Sequence, residues 1–264
     1  MDIAGKVAVV TGSGSGIGKA CALEFSRRRA DVVVADVDES AARRTAHEIE
    51  HLGGQAMVVY CDVARDDDVA ELRDRTLERF GRVDVLMSNV GVIAMGPPTQ
   101  IPVAEWSRVF DINVLGTVRL TNTFIPLFVE QGAGHLVITS STAGLFPYAY
   151  DRLPYAASKH ALVGMSEGLA LYLRPLGVGV TCLCPAGVPT NIAAQVRRFG
   201  DSSGVLQAPA LSTLEAPAVG ALVADAIAND RFLVLTAPEA KEFMKRRAAD
   251  PDTFIDEQIT SLSS

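Results

Sequence analysis

Cysteine is scarce and unpatterned in this chain. Cys21, Cys61, Cys182 and Cys184 have no framework spacing, so neither a disulfide scaffold nor a zinc site is expected. The four histidines are scattered away from those cysteines, and no metal is expected. Cys182 and Cys184 fall on one face of an apolar run, where they read as small buried hydrophobes. Positive charge is also short: 24 Lys and Arg stand against 31 Asp and Glu, a net charge of −7. That balance argues against nucleic acid as a partner. No run approaches the roughly 18 consecutive apolar residues that span a bilayer. The opening "MDIAGKVAVVTG" has no basic stretch ahead of its apolar one, so neither a membrane anchor nor a signal peptide is expected. These absences point to a reduced, cytoplasmic protein.

What is present is a regular alternation. Short apolar, β-branched runs at 6–11, 32–36, 56–61, 83–89, 135–140, 178–184 and 232–236 read as strands. Between them, helical patterns cover 16–28, 39–52, 67–80, 103–130, 154–174 and 216–228. Strands that are apolar on both faces and alternate with helices predict an α/β fold, a doubly wound parallel sheet of about seven strands with helices on both faces. No Pro/Gly/Ser-rich linker divides the chain and no repeat appears, so 1–264 is read as one domain. Residues 190–213, with "GDSSG" at their centre and no period, read as a lid; residues 238–264 read as a charged helical tail.

Three local patterns carry chemistry. "TGSGSGIGKA" places Gly12, Gly16 and Gly18 where the first strand turns into a helix. Glycines there permit a tight turn, close approach to a phosphate and a helix N-terminus aimed at it. The second strand ends at Asp36, placed to accept hydrogen bonds from an adenosine ribose and to repel a 2′-phosphate; Ser15 and Val37 supply no cation to hold one. Asp38 reads as the N-cap of the helix that follows. In "LPYAASKHALVG", Tyr155 and Lys159 lie one helical turn apart, so a phenol and an ammonium share a face. A cation there lowers the phenol pKa from about 10 toward useful acid/base work.

Taken in order, "TGSGSGIG" (11–18), "CDV" (61–63), "SNVG" (88–91), Asn113, "SSTAG" (140–144), "YAASK" (155–159) and "CPAGVPT" (184–190) resemble the short-chain dehydrogenase/reductase family over nearly the whole chain. The resemblance implies a Rossmann-type fold and an NAD-dependent oxidoreductase interconverting a secondary alcohol and a ketone. Tyr155 would exchange a proton with the reacting oxygen, Lys159 would bind the nicotinamide ribose and tune the phenol, and Ser141 would hydrogen-bond that oxygen. Asn113 would hold a water linking Lys159 to solvent. The implied cofactor contacts are Gly12, Ser13, Ser15, Gly16, Ile17, Gly18, Asp36, Val37, Asp62, Val63, Asn89, Val90, Gly91, Tyr155, Lys159, Pro185, Gly187, Val188 and Thr190. Two departures stand out: the family's Pro-Gly reads Pro185-Ala186 followed by Gly187, and the middle of its Asn-Ala-Gly is Val90.

Two alternatives stay open, a 3-oxoacyl thioester reductase using NADPH and a nucleotide-sensing protein without turnover. Asp36 argues against the first, and the complete Asn-Ser-Tyr-Lys set against the second. Around the site, Val92, Ile93, Met95, Leu145, Phe146, Tyr148, Leu153, Ile192 and Val196 suggest an apolar wall for a hydrophobic alcohol or ketone. Among the neighbouring hydroxyls, the Ser-x-x-Gly pattern ending at Gly144 selects Ser141 over Ser140 and Thr142. The resemblance also implies a homotetramer or homodimer paired through helix 103–130 and the helix carrying Tyr155, whose Leu162, Met165, Leu169 and Leu173 form an apolar stripe.

Overall fold

Strands with no polar face can only be satisfied between two layers, and that is where the chain puts them. The structure, a computed structural model, describes residues 1–190, 192, 195–200 and 211–263. Its strands are β1 (Val7–Thr11), β2 (Asp31–Asp36), β3 (Ala56–Tyr60), β4 (Val85–Ser88), β5 (Ala94–Met95), β6 (Gly134–Thr139), β7 (Val178–Cys184), β8 (Arg197–Arg198) and β9 (Leu233–Leu235). The helices are α1 (Gly16–Arg27), α2 (Glu39–His51), α3 (Asp66–Phe80), α4 (Val103–Phe110), α5 (Gly116–Gln131), α6 (Leu153–Leu173), α7 (Ala216–Ala228), α8 (Ala240–Ala249) and α9 (Pro251–Ser263). Seven strands form one parallel sheet in the order β3-β2-β1-β4-β6-β7-β9. Register is continuous across its centre: Val9 lies beside Val33 on one side and Leu86 on the other. The chain winds outward from β1 through β3 and returns to begin the other half at β4. Loops therefore diverge between the carboxyl ends of β1 and β4, the place where such sheets bind ligands.

Each face of the sheet carries its own core. Phe25 of α1, Ile49 of α2 and Val223 and Ile227 of α7 pack on one side. Leu72 of α3, Leu120, Phe124 and Phe128 of α5, and Leu162 of α6 pack on the other. Burying each phenylalanine this completely contributes about 2 to 3 kcal/mol. The start of α2 follows the expected chemistry: the Asp38 carboxylate accepts from the Ala41 N–H at 3.0 Å and caps it.

Four features differ from the sequence pattern. The helix expected over 103–130 is broken at Asp111–Leu115 by a π-helical turn. The whole stretch Val103–Gln131 has the length and hydropathy of a membrane span, yet Leu120, Phe124 and Phe128 press onto the sheet as core. The stripe on α6 faces inward: Leu162 and Leu173 are buried, and the exposed apolar residues are Leu171 and Tyr172. Residues 191, 193, 194 and 201–210 of the expected lid lie outside the described residues, and 197–198 form the short strand β8 against β5. Finally, Phe146 is not a wall of the site. It stacks on Phe243 of α8 at 5.1 Å and meets Phe254 of α9 edge-on, so the tail closes a satellite core with Leu145.

Candidate active site

The carboxyl ends of β1, β2, β4, β6 and β7 surround a groove of about 590 Å³, within the range of cofactor sites. Its floor is built by the turn from β1 into α1. Gly16 adopts φ +55°, a conformation side chains disfavour, and a Cβ on Gly18 would sit 2.2 Å from the Gly12 carbonyl oxygen. The loop is thus bare backbone ending at the N-terminus of α1, which suits a diphosphate. Beyond it, the Asp36 carboxylate accepts from the N–H groups of Gly14 (2.8 Å) and Asp38 (3.0 Å). Those bonds fix the carboxylate at the edge of the groove. A dinucleotide fits this cradle: open glycine backbone for its phosphates, a fixed acceptor for its ribose.

Of the sequence-derived contacts, Gly12, Ser15, Gly16, Ile17, Asp36, Val37, Asp62, Val63, Asn89, Val90, Gly91, Tyr155, Lys159, Pro185, Val188 and Thr190 line this groove, and so does Ser141. Ser13, Gly18 and Gly187 do not line it. Ser13 is fully buried, its hydroxyl donating to the Val10 carbonyl and accepting from the Ala35 N–H. It ties β1 to β2 instead. Gly187 faces Thr213, and its carbonyl accepts from the Leu214 N–H. Sequence reasoning missed Arg44, which lines the groove from α2 and donates to Ser40 at 3.2 Å. Its signal was available: it lies six residues after the Asp38 cap, on the helix that starts beside Asp36. Ser15 and Val37 supply no cation here, as expected, but Arg44 brings one to the groove from α2.

At the inner end of the groove, α6 presents Tyr155 and Lys159, both buried. The Lys159 ammonium donates to the Thr139 carbonyl at 2.8 Å and lies 5.5 Å from the Tyr155 ring centroid. Burial pushes the Tyr155 phenol up to about 12, opposed by its hydrogen bond with the Ser141 hydroxyl and, less strongly, by the Arg152 charge. Burial pulls Lys159 down to about 8. Burial thus outweighs what Ser141 and Arg152 offset, and Lys159 is not among the groups that lower the phenol. At neutral pH the phenol keeps its proton.

Ser140, Ser141 and Thr142 separate cleanly. Ser141 meets Tyr155, accepts from the Ala143 N–H at 3.1 Å and faces the Pro185 carbonyl at 3.5 Å. The Ser140 hydroxyl donates to the Lys159 carbonyl at 2.7 Å and is committed to holding α6 against β6. Thr142 is buried and not part of the groove lining. Asn113 sits inside the π-helical turn, behind the groove. Its Oδ1 accepts from the Val92 N–H at 2.8 Å, and its Nδ2 donates to the Val92 carbonyl (3.1 Å) and to Ser158 (2.9 Å). Ser158 in turn donates to the Tyr155 carbonyl at 2.7 Å. Asn113 thereby locks the loop after β4 to the first turns of α6. Both its Oδ1 and the Lys159 Nζ flank Gly91, within 3.8 and 3.3 Å of where a Cβ there would stand. Single-turn π-bulges of this kind occur often at functional sites.

Residues 6–200 match the family model described as short chain dehydrogenase. The chain is 34% identical over 248 residues to a 1-deoxy-11-beta-hydroxypentalenate dehydrogenase of Streptomyces exfoliatus, covering 91% of this chain and 86% of that protein. It is 32% identical to a 3beta-hydroxysteroid dehydrogenase of Eggerthella lenta, over 74% of this chain and 76% of that one. Among solved structures it resembles a short chain dehydrogenase/reductase from Burkholderia phymatum in complex with NAD. There the TM-score is 0.86 and the identity 36%, over 96% of both chains.

Proposed function

This chain belongs to the short-chain dehydrogenase/reductase family, and on that premise we propose that it interconverts a hydrophobic secondary alcohol and its ketone with NAD as cofactor. The observation that carries the reading is the meeting of Ser141, Tyr155 and Lys159 at the inner end of a glycine-floored groove. The nicotinamide, when bound, supplies or accepts the hydride. The chain's own groups do the rest. Ser141 holds the substrate oxygen by donating a hydrogen bond, and Tyr155, protonated at neutral pH, gives its proton to that oxygen as the ketone becomes an alcohol. In the oxidative direction the phenolate oxygen takes the proton back. Lys159 holds the nicotinamide ribose, and Asn113, whose Oδ1 flanks Gly91 beside Lys159, holds a water that passes protons to solvent.

NAD is preferred because Asp36, fixed at the edge of the groove, would meet a 2′-phosphate at unfavourable cost. An apolar substrate is supported by Val92 and Ile192, which line the groove, and by relatives named for a hydroxypentalenate and a hydroxysteroid. The exposed Leu171 and Tyr172 on α6 and Leu115 and Val129 beside or within α5 support pairing of two copies through these helices, as a dimer or tetramer. Four free thiols support a reducing compartment such as the cytoplasm. A second reading, a 3-oxoacyl thioester reductase on NADPH, is favoured by Arg44, a cation lining the groove near Asp36. Absorbance at 340 nm, with both cofactors against a panel of cyclic alcohols and a 3-oxoacyl thioester, separates the two. Turnover of no alcohol or ketone with either cofactor overturns the proposal.

A further inference from the structure

A helix that widens for one turn pairs its N–H groups with carbonyls five residues back, and on resuming the tighter spacing it is left with a carbonyl short of a backbone donor. Here the Gly116 N–H bonds the Asp111 carbonyl across the π-helical turn. The Asn113 carbonyl receives a side chain, the Thr117 hydroxyl, at 3.1 Å. That donation spends the one proton Thr117 has, so the Ser88 hydroxyl, 2.9 Å away, donates to Thr117 in turn. A threonine that bonds the carbonyl one turn back is ordinary in a helix. Thr117 differs in also being held from the sheet. Ser88 is the last residue of β4, directly ahead of Asn89, Val90 and Gly91 in the groove wall. From Asn113 the bonds run on through its side chain to Val92 and Ser158, and from Ser158 to the Tyr155 carbonyl. Ser88, Thr117, Asn113 and Ser158 are all buried, so a hydroxyl that loses its partner there has no ready water to replace it. One line of side chains joins the end of β4 to the helix carrying Tyr155.

We propose that Thr117 is a positioning residue for the reaction: held by Ser88, it fixes the Asn113 carbonyl and with it the π-helical turn that presents the Asn113 side chain. That side chain makes three bonds to two elements, Val92 after β4 and Ser158 on α6, and can keep all three only while the turn stands at one distance from the sheet. Without the Thr117 hydroxyl, α5 keeps its packing through Leu120 and Phe124 but loses the strut that sets this distance. The effect on turnover rests on the oxidoreductase reading; the hold on Asn113 does not.

Thr117→Val keeps the shape of the side chain and strands two groups, the Ser88 hydroxyl and the Asn113 carbonyl. Hydrogen exchange of the full chain without cofactor, followed by mass spectrometry, reads the hold directly, because the Val92 N–H is bonded to Asn113 Oδ1. Exchange in the peptide containing Val92 should be about tenfold faster in Thr117→Val than in wild type, and Thr117→Ser should restore it. In the alcohol assay Thr117→Val should lower kcat about tenfold with KM for alcohol and cofactor within about twofold, while Thr117→Ser stays within about twofold of wild type throughout. Ser88→Ala combined with Thr117→Val separates positioning from stability. No hydroxyl is stranded in that double variant, so its urea midpoint should return toward wild type while kcat stays low. It also carries the kinetic and exchange comparisons if Thr117→Val alone does not fold. Unchanged exchange at Val92 overturns the hold on Asn113. Faster exchange with a wild-type kcat overturns the positioning role, and so does recovery of kcat together with the midpoint in the double variant. Faster exchange in a protein whose wild type turns over no alcohol or ketone upholds the hold and overturns the oxidoreductase reading instead.

Discussion

Replacing Ser141 by alanine removes one hydroxyl with two separable duties. One is the proposed donation to the reacting oxygen. Loss of such a preorganised donor typically costs about 3 kcal/mol in the transition state, or about a hundredfold or more in kcat. The other is local: the same oxygen accepts from the Ala143 N–H at 3.1 Å, a cap on the short helical turn Thr142–Gly144 whose loss costs about 1 kcal/mol of stability. The hydroxyl also opposes the upward push on Tyr155, so the alanine variant should move the acidic group of the reaction further up. Its neighbours give the control. Ser140→Ala deletes a bond to the Lys159 carbonyl and should cost about 1 kcal/mol in stability with kcat within about tenfold. Thr142→Ala leaves the Thr142 N–H bonded to the Pro185 carbonyl at 2.9 Å and should cost less still in rate. Steady-state kinetics and urea melts of the three variants measure both quantities. A severe kcat loss in Thr142→Ala with Ser141→Ala near wild type would refute the assignment of the oxygen-binding hydroxyl.

Wild-type kcat/KM should favour NAD over NADP by at least about a hundredfold, with Asp36→Ala collapsing the ratio and Arg44→Ala widening it; a wild-type NADP preference sinks this reading. His135, buried against Thr181 at 2.8 Å, is pulled by burial to about 4, so between pH 6.5 and pH 4 the unfolded chain takes up a proton that the folded chain does not. Stability should therefore fall on acidification through that window by on the order of 3 kcal/mol, and urea melts of His135→Gln should show a shallower fall; parallel pH curves would contradict it. Light scattering at micromolar concentration should show a dimer or tetramer, and Leu171→Glu with Tyr172→Glu should yield the monomer; a wild-type monomer counts against pairing through α5 and α6.

The sheet was legible because its strands are buried on both faces, leaving continuous Val-rich runs such as β1 and β2 that no exposed strand would show. The glycine loop, Asp36 and the Tyr155–Lys159 spacing were legible because backbone approach, charge and helical period restrict which residues can serve. Short elements were not. β5 and β8 span two residues each, too few for any periodicity, and β8 is two arginines fastened by Glu105 nearly a hundred positions earlier in the chain. The π-helical turn around Asn113 adds a residue to one turn without interrupting the apolar pattern on either side. The Tyr155 environment was only partly legible: sequence displays the lysine one turn away but not the burial that pushes the phenol up. Phe146 looked like a wall of the site because its partners, Phe243 and Phe254, lie about a hundred residues later in the tail.

The proposed oxidoreductase chemistry rests on Tyr155 as the group that gives and takes the proton. Tyr155→Phe keeps the ring, its packing and the Lys159 contact, and removes only the hydroxyl. Paired measurements on that variant are turnover followed at 340 nm and NADH affinity followed by fluorescence titration. Turnover should fall below about one hundredth of wild type while NADH affinity stays within about twofold, since a proton-transfer group acts mainly in the transition state. A variant that keeps more than about a tenth of the wild-type rate would contradict the claim.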